Sequence, residues 1–195
     1  MIIMSKNSTA EKLLPAITIE LVDTLSEVDM SNLSEITETT INSGGGFGWI
    51  TAPARESLER YWSGVLAVPQ RHLIIARMDG MLCGAVQLVE PTLQNEAQSF
   101  AASLLANFVA PWARGYNIGL QLAETVEDLA IEKGYTVLNI DIRETQASAI
   151  KLFESLGYKK WGENPYYAQI NGKTIKGLYY TKVIGRPVQS LPSII

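Results

Sequence analysis

One cysteine, Cys83, and one histidine, His72, stand in a chain of 195 residues. A lone thiol forms no internal disulfide, which excludes a disulfide scaffold. Cys83 lies in an apolar run with no histidine or basic cluster beside it, so it reads as a buried, inert thiol. His72 precedes an apolar strand and reads as structural rather than catalytic. No metal site is expected. Charge is scarce too: charged residues make up 18% of the chain, with a formal net charge of −4. That balance argues against a general nucleic-acid binder, which would carry a basic field. It suits a cationic substrate, although solubility alone also explains it. No stretch reaches the ~20 apolar residues of a membrane span. The first residues lack the charged opening and long apolar core of a signal peptide. A cytoplasmic protein with no nucleic-acid or membrane partner is expected.

Two phosphate-binding signatures are missing as well. There is no Gly-x-Gly-x-x-Gly dinucleotide fingerprint inside an early βαβ unit, and no glycine-rich loop ending in Gly-Lys-Ser/Thr. What the chain has is an apolar content of 47%, which excludes a largely disordered chain, and a length that suits one domain. It also has one stretch, residues 107–120, around which the rest is organised. Pro111 cannot donate to a sheet ladder, so a strand ends before it. Gly115 and Gly119 remove side chains where the backbone turns and where something approaches closely. From Ile118 the apolar residues Leu122, Val126 and Leu129 follow at helical spacing, and Gly134 marks the helix end. A helix opened this way points unpaired N–H groups and a partial positive charge at whatever lies beyond the loop, which suits a phosphate. Two glycines at a strand-to-helix turn also occur for packing alone.

The remaining elements follow from periodicity and turn chemistry. Residues 1–15 read as a loose leader, 16–185 as the folded domain and 186–195 as a tail. A first strand is expected over residues 17–22 and a first helix from Asp29 to about Ile41. A second helix follows, capped by Thr51 with Pro53 in its first turn and with Leu58, Tyr61, Trp62 and Val65 inward. Asp79-Gly80 and Asn171-Gly172 are hairpin turns. Strands are expected over 72–77, 81–89, 100–109 and 136–142, then a helix over 146–156 and two closing strands. The order β-α-α-β-β-β-α-β-α-β-β implies an α/β fold, a single domain around one mixed sheet flanked by helices.

With that order, two segments together resemble the GNAT superfamily of N-acetyltransferases, which move an acetyl group from acetyl-CoA to an amine. Arg114-Gly115-Tyr116-Asn117-Ile118-Gly119 is similar to the family's Arg/Gln-x-x-Gly-x-Gly/Ala loop. Residues 141–158, opening Asp141-Ile142-Arg143 and closing Phe153-Glu154-Ser155-Leu156-Gly157-Tyr158, resemble the family's block running from Asp-x-Arg to Leu-Gly-Phe. Within the superfamily, Gly44, Gly45, Gly48 and residues 162–167 are similar to the tabtoxin-resistance type, a hint of a small amine-bearing acceptor.

The resemblance implies acetyl-CoA as cofactor. It implies that Phe108, Val109 and Ala110 pair with the pantetheine arm as an added strand would. It implies that backbone N–H groups of Arg114, Gly115, Tyr116, Asn117, Ile118, Gly119 and Leu120 cradle the diphosphate. Gln146, Ser148 and Phe153 would meet the cofactor from the last helix, where helix capping is the alternative for Gln146 and Ser148 and an equal one for Ser148. The family's leaving-group acid is a tyrosine, and Phe153 stands in its place. Asn117 replaces a family glycine, and asparagine tolerates a left-handed backbone. Ser103 stands where the related resistance enzymes carry a glutamate. Asp141 is the candidate base or orienter of the amine, or else a strand-end aspartate bonded to backbone. Tyr158 and Tyr166 are candidate sources of the leaving-group proton. Phe47, Trp49, the second helix and the Tyr166–Tyr167 segment read as an acceptor pocket, or those aromatics equally as ordinary core. The function expected is acetyl transfer to a small amine: an amino-acid-like toxin, a polyamine or a metabolite. A CoA-binding module without catalysis and a protein N-terminal or lysine acetyltransferase are the alternatives. The apolar tail over 188–195 suits docking on a second copy, as in a homodimer.

Overall fold

A computed structural model of the chain describes residues 14–45 and 47–185. The first 13 residues of the expected leader, and the tail over 186–195 with its docking role, lie outside the described residues. The elements are β1 (Ile17–Val22), α1 (Glu27–Asn42), α2 (Arg55–Ala67), β2 (Arg71–Met78), β3 (Met81–Val89), β4 (Ala101–Val109), α3 (Ile118–Glu132), β5 (Val137–Arg143), α4 (Ala147–Ser155), β6 (Lys159–Ile170) and β7 (Lys173–Val183). They follow the order read from the sequence. One seven-stranded sheet runs β1-β2-β3-β4-β5-β7-β6. Every neighbouring pair is antiparallel except β4 and β5.

Local chemistry fixes the corners. Asp79 and Gly80 have φ of 50° and 81°, and Asn171 and Gly172 have 49° and 74°. Positive φ at both central residues is what a tight hairpin needs to match strand twist. Ser26 caps α1 by accepting from the Asp29 N–H at 3.0 Å. The expected cap of α2 by Thr51 is corrected. Ala54 is the N-cap, extended at φ −56° and ψ 148°, and no side chain bonds there. Pro53 holds the residue before it extended, so the helix starts beyond reach of Thr51.

The sheet buries both faces. On one, Ile74, Val86, Leu104 and Leu138 pack against Leu122 and Val126 of α3 and Phe153 of α4. On the other, Leu73, Ile75 and Phe108 pack against Leu33 of α1 and Leu58 and Trp62 of α2. Each such side chain contributes roughly 1.5–3 kcal/mol by leaving water.

A bulge in β4 decides what the two faces present. Phe108 pairs with Ala85 but Leu105 with Gln87, so one extra residue is inserted, and Ala106 adopts φ of 51°. An insertion of one residue reverses which parity faces which side. Before the bulge Ala102 and Leu104 face α3. After it Val109 joins that face and Phe108 turns to the opposite one.

Candidate active site

Beyond the bulge the sheet opens. β4 and β5 pair only through Ala101 with Val137, Ala102 with Leu138 and Ser103 with Asn139. From Leu104 and Ile140 onward the strands share no ladder, and a wedge-shaped gap separates them. Three cavities occupy the gap and its two mouths. The first, about 430 Å³, lies among β4, the start of α3 and the start of α4, lined by Asn107, Phe108, Val109, Arg114, Gly119 and residues 145–149 with Leu152 and Phe153. The middle one, about 220 Å³, sits in the wedge between residues 104–108 and 140–142. The third, about 320 Å³, lies at the far mouth beside Asp141, Arg143, Gln146, Tyr167 and Gln169. Asn107, Phe108, Gln146, Ala149 and Phe153 border both first and middle. Phe47, Gly48, Asp141, Gln146 and Tyr167 border both middle and third. The three thus adjoin in sequence along the wedge, and we call them together the passage.

The first cavity is polar through backbone. Gly115 and Asn117 turn the chain into α3 with φ of 90° and 58°, and no side chain caps the helix. α4 also starts without a side-chain cap, at Gln146. Two helix N-termini thus carry unsatisfied N–H groups and partial positive charge toward one space. Arg114 adds a full charge and is steadied by donating from Nε to the Val109 carbonyl at 3.3 Å. Asn107 donates from Nδ2 to the Gly119 carbonyl at 3.2 Å, while its Oδ1 is buried without a partner. Such an acceptor calls for a donor from outside the chain.

The third cavity is polar through side chains. The Tyr167 hydroxyl donates to Asp141 Oδ2, and Arg143 donates to the Phe47 carbonyl, tying the loop after α1 to β5. Burial first, and then the Asp141 hydrogen bond and charge, push the Tyr167 hydroxyl above its ordinary range, so it stays protonated as a donor. A Cβ on Gly177 would stand 2.3 Å from the Tyr167 ring. That glycine, paired with Arg143 across the ladder, leaves the space that the ring fills against β7.

Of the residues singled out from sequence, Phe108, Val109, Arg114, Gly119, Gln146, Ser148 and Phe153 line the first cavity, and Phe47 and Asp141 line the other two. Gly115, Tyr116 and Asn117 are exposed on the loop, Ile118 is buried beneath it, and Leu120 is half-buried in the first turn. The backbone of Ala110 is engaged, its N–H with the Cys83 carbonyl at 2.8 Å and its carbonyl with the Ala113 N–H at 2.9 Å. Trp49 packs edge-on against Tyr61 at 5.3 Å behind the cavity wall.

Two tyrosines stand apart from the passage. Tyr158 is buried in the core with its ring 5.2 Å from Phe153. Its hydroxyl is directed at Glu127, yet neither it nor Glu127 Oε1 completes a hydrogen bond. Tyr166 is 84% exposed. The neighbour Tyr167 takes the inward position. The sequence points to the Tyr166–Tyr167 segment but favours Tyr166 within it, because β6 slips register between Asn164 and Ala168 and alternation fails there. Arg143, by contrast, had a signal in its place two residues after Asp141 on the same strand face.

Cys83 is buried, with its thiol pushed up to about 11 by burial, and His72 Nε2 meets Glu90 Oε1 at 2.6 Å. Among the described residues no three His, Cys, Asp or Glu side chains gather to hold a metal, and no helix is long and apolar enough to cross a membrane.

Residues 33–158 match the model of the acetyltransferase (GNAT) family. The chain is 48% identical over 130 residues to an uncharacterized N-acetyltransferase in the hisH-hisA intergenic region of Azospirillum brasilense, covering 67% of this chain and 77% of that protein. It is 31% identical over 104 residues to the IAA acetyltransferase of Azospirillum brasilense, covering 52% of this chain and 63% of that protein. Among solved structures, yncA of Salmonella typhimurium with its cofactor acetyl-CoA superposes with a TM-score of 0.73 at 15% identity, covering 92% of this chain and 99% of that one. The ribosomal-protein-alanine N-acetyltransferase of Brucella melitensis superposes with a TM-score of 0.72 at 21% identity, over 85% and 99%. The similarity to the tabtoxin-resistance type rests on its glycine turn and residues 162–167 alone.

Proposed function

Because the chain belongs to the acetyltransferase (GNAT) family and is an acetyl-CoA-dependent N-acetyltransferase, we propose that its passage takes the cofactor at the α3 mouth and a small-molecule amine at the Asp141 mouth. The residues present fit such a cofactor. Uncapped amides at the start of α3, with Arg114 beside them, suit a diphosphate. The orphaned Asn107 Oδ1 and the unladdered edge of β4 at Phe108 and Val109 suit an amide-bearing arm. Gln146 and Ser148 close that mouth from α4. Bound there, acetyl-CoA supplies an acetyl group activated as a thioester.

The chain's own residues then have distinct tasks. Asp141 Oδ2 is held by Tyr167, which leaves Oδ1 to receive the proton that an acceptor ammonium must lose before it becomes a nucleophile. Tyr167, locked by Asp141 and by the space over Gly177, positions that carboxylate. Phe47 and Phe108 contact edge-on at 5.1 Å and wall the wedge against water. Phe153 gives α4 no hydroxyl, and neither Tyr158 nor Tyr166 lines the passage, so no proton for the departing thiolate comes from those three positions.

The observation that carries this reading is the run of three adjoining cavities along the β4–β5 wedge, each sharing lining residues with the next. Calorimetry with acetyl-CoA, followed by free-thiol release across a panel of small amines, tests it. Binding with amine-dependent thiol release is expected. Binding with no release from any amine would leave the cofactor mouth standing and remove the acceptor mouth.

A further inference from the structure

The acceptor cavity carries two opposite charges on one strand. Asp141 and Arg143 are two residues apart on β5, so their side chains leave the same face about 6–7 Å apart along the strand. Both line the 320 Å³ cavity, which Gln146 and Gln169 also line. Asp141 has its neutral partner in Tyr167. Arg143 has only a neutral one: it donates to the Phe47 carbonyl, and among the described residues no carboxylate lies within ion-pair distance of it. A guanidinium offers five donors in a planar fork that matches a carboxylate. One bond to a carbonyl leaves most of that fork to the cavity. A half-buried cation facing a concave polar site attracts an anion there.

We propose that the acceptor is a free amino acid or an amino-acid-like molecule, its carboxylate paired with Arg143 and its amine received by Asp141. This rests on the assignment of the Asp141 mouth to the acceptor amine. It narrows the small amines sharply. A polyamine would bring a second ammonium against Arg143, and like charges at contact repel. A peptide N-terminus would offer Arg143 an amide carbonyl where the free amino acid offers a charged carboxylate.

The full-length protein with acetyl-CoA, offered leucine, methionine and glutamine, each beside its own carboxamide, and spermidine, tests this by thiol release. Each acid is expected to exceed its amide in kcat/KM by about tenfold or more, the scale of a charge-assisted hydrogen bond. The difference should lie in KM. In Arg143→Gln the ratio of acid to amide should fall to near unity, and Arg143→Lys should keep part of it. Calorimetry of the same acids and amides against the protein–CoA complex should show the same preference without turnover. If Arg143→Gln does not fold, the acid-to-amide ratios of the unaltered protein and of Arg143→Lys distinguish the outcomes. Equal turnover of amides, or better turnover of spermidine, would overturn this inference and leave amine acetylation standing. Thiol release from none of them would overturn both.

Discussion

At the α3 mouth backbone amides of two helix starts stand beside the side chains of Asn107 and Arg114; at the far mouth the polar groups are the side chains of Asp141, Arg143 and Tyr167. The difference teaches how one passage divides its labour. A site built from main-chain N–H groups survives many substitutions, because every residue but proline brings the same donor. A site built from side chains is remade by one substitution, and so carries choice of acceptor and proton chemistry. The first should be sensitive to backbone shape, the second to single functional groups.

Substitutions at each mouth test that division. Asp141→Asn should lower kcat by roughly 10²–10⁴-fold, the usual contribution of a positioned base, while the calorimetric affinity for acetyl-CoA stays as it was. A matched loss of cofactor affinity would blur the two mouths into one. Tyr167→Phe removes a hydrogen bond to a charged group, worth about 1.5–3 kcal/mol, and should slow transfer by tenfold or more. Tyr158→Phe removes a hydroxyl that is directed at Glu127 in the core and lies outside the three cavities, and steady-state rates should not move. Equal effects from the two tyrosines would sink the assignment of Tyr167 to Asp141.

Gly119→Ala should act in two opposite directions. The added Cβ would meet Leu152 and Val109 at 3.7 Å, ordinary contact, so the fold accepts it. Thermal unfolding should show stability unchanged or raised by up to about 1 kcal/mol, since alanine is the better helix former. Acetyl-CoA affinity should nonetheless fall about tenfold, or ~1.4 kcal/mol, because the methyl group stands at the cavity wall. Undiminished affinity would mean that the glycine serves packing alone.

The smallest effect sits away from both mouths and sets the baseline. Arg77 joins β2 to Asp29 of α1 at 2.7 Å, and its hydrogen bond holds the Asp29 carboxyl below its ordinary 3.8. A carboxyl lowered in the folded state adds stability above its unfolded pKa and loses it as pH falls through the folded one. Asp29→Asn should therefore cost about 1 kcal/mol or less near neutrality. The gap to the unaltered protein should close as unfolding is followed below pH 3.8. Acetyl transfer should be untouched.

Part of the α3 mouth was legible because Pro111, two glycines and the start of α3 lie within one short run, whereas residues 145–149 join it from a distant segment. Turn dipeptides likewise announced both hairpins. The far mouth draws on residues scattered from Phe47 to Ile170, and no local pattern joins them. Two departures from regular alternation hid the rest. The bulge at Ala106 carries Phe108 to the opposite face from Leu104, and the slip in β6 turns Tyr167 inward instead of Tyr166. Non-glycine residues seldom take the left-handed backbone that Ala106 adopts, a conformation that costs roughly 1–2 kcal/mol, so nothing in its identity advertises the kink.

Only three residue pairs, at one end, fasten β4 to β5. Like a book held by a short spine, the sheet has two leaves laddered to one another at Ala101–Ser103 and Val137–Asn139 alone, with α3, α4 and the Arg143–Phe47 bond spanning the gap beyond. A guest lying along the open edges would staple the leaves together. Amide hydrogen exchange over residues 104–109 and 140–143 should accordingly slow on loading with acetyl-CoA, while the spine itself exchanges at one rate throughout.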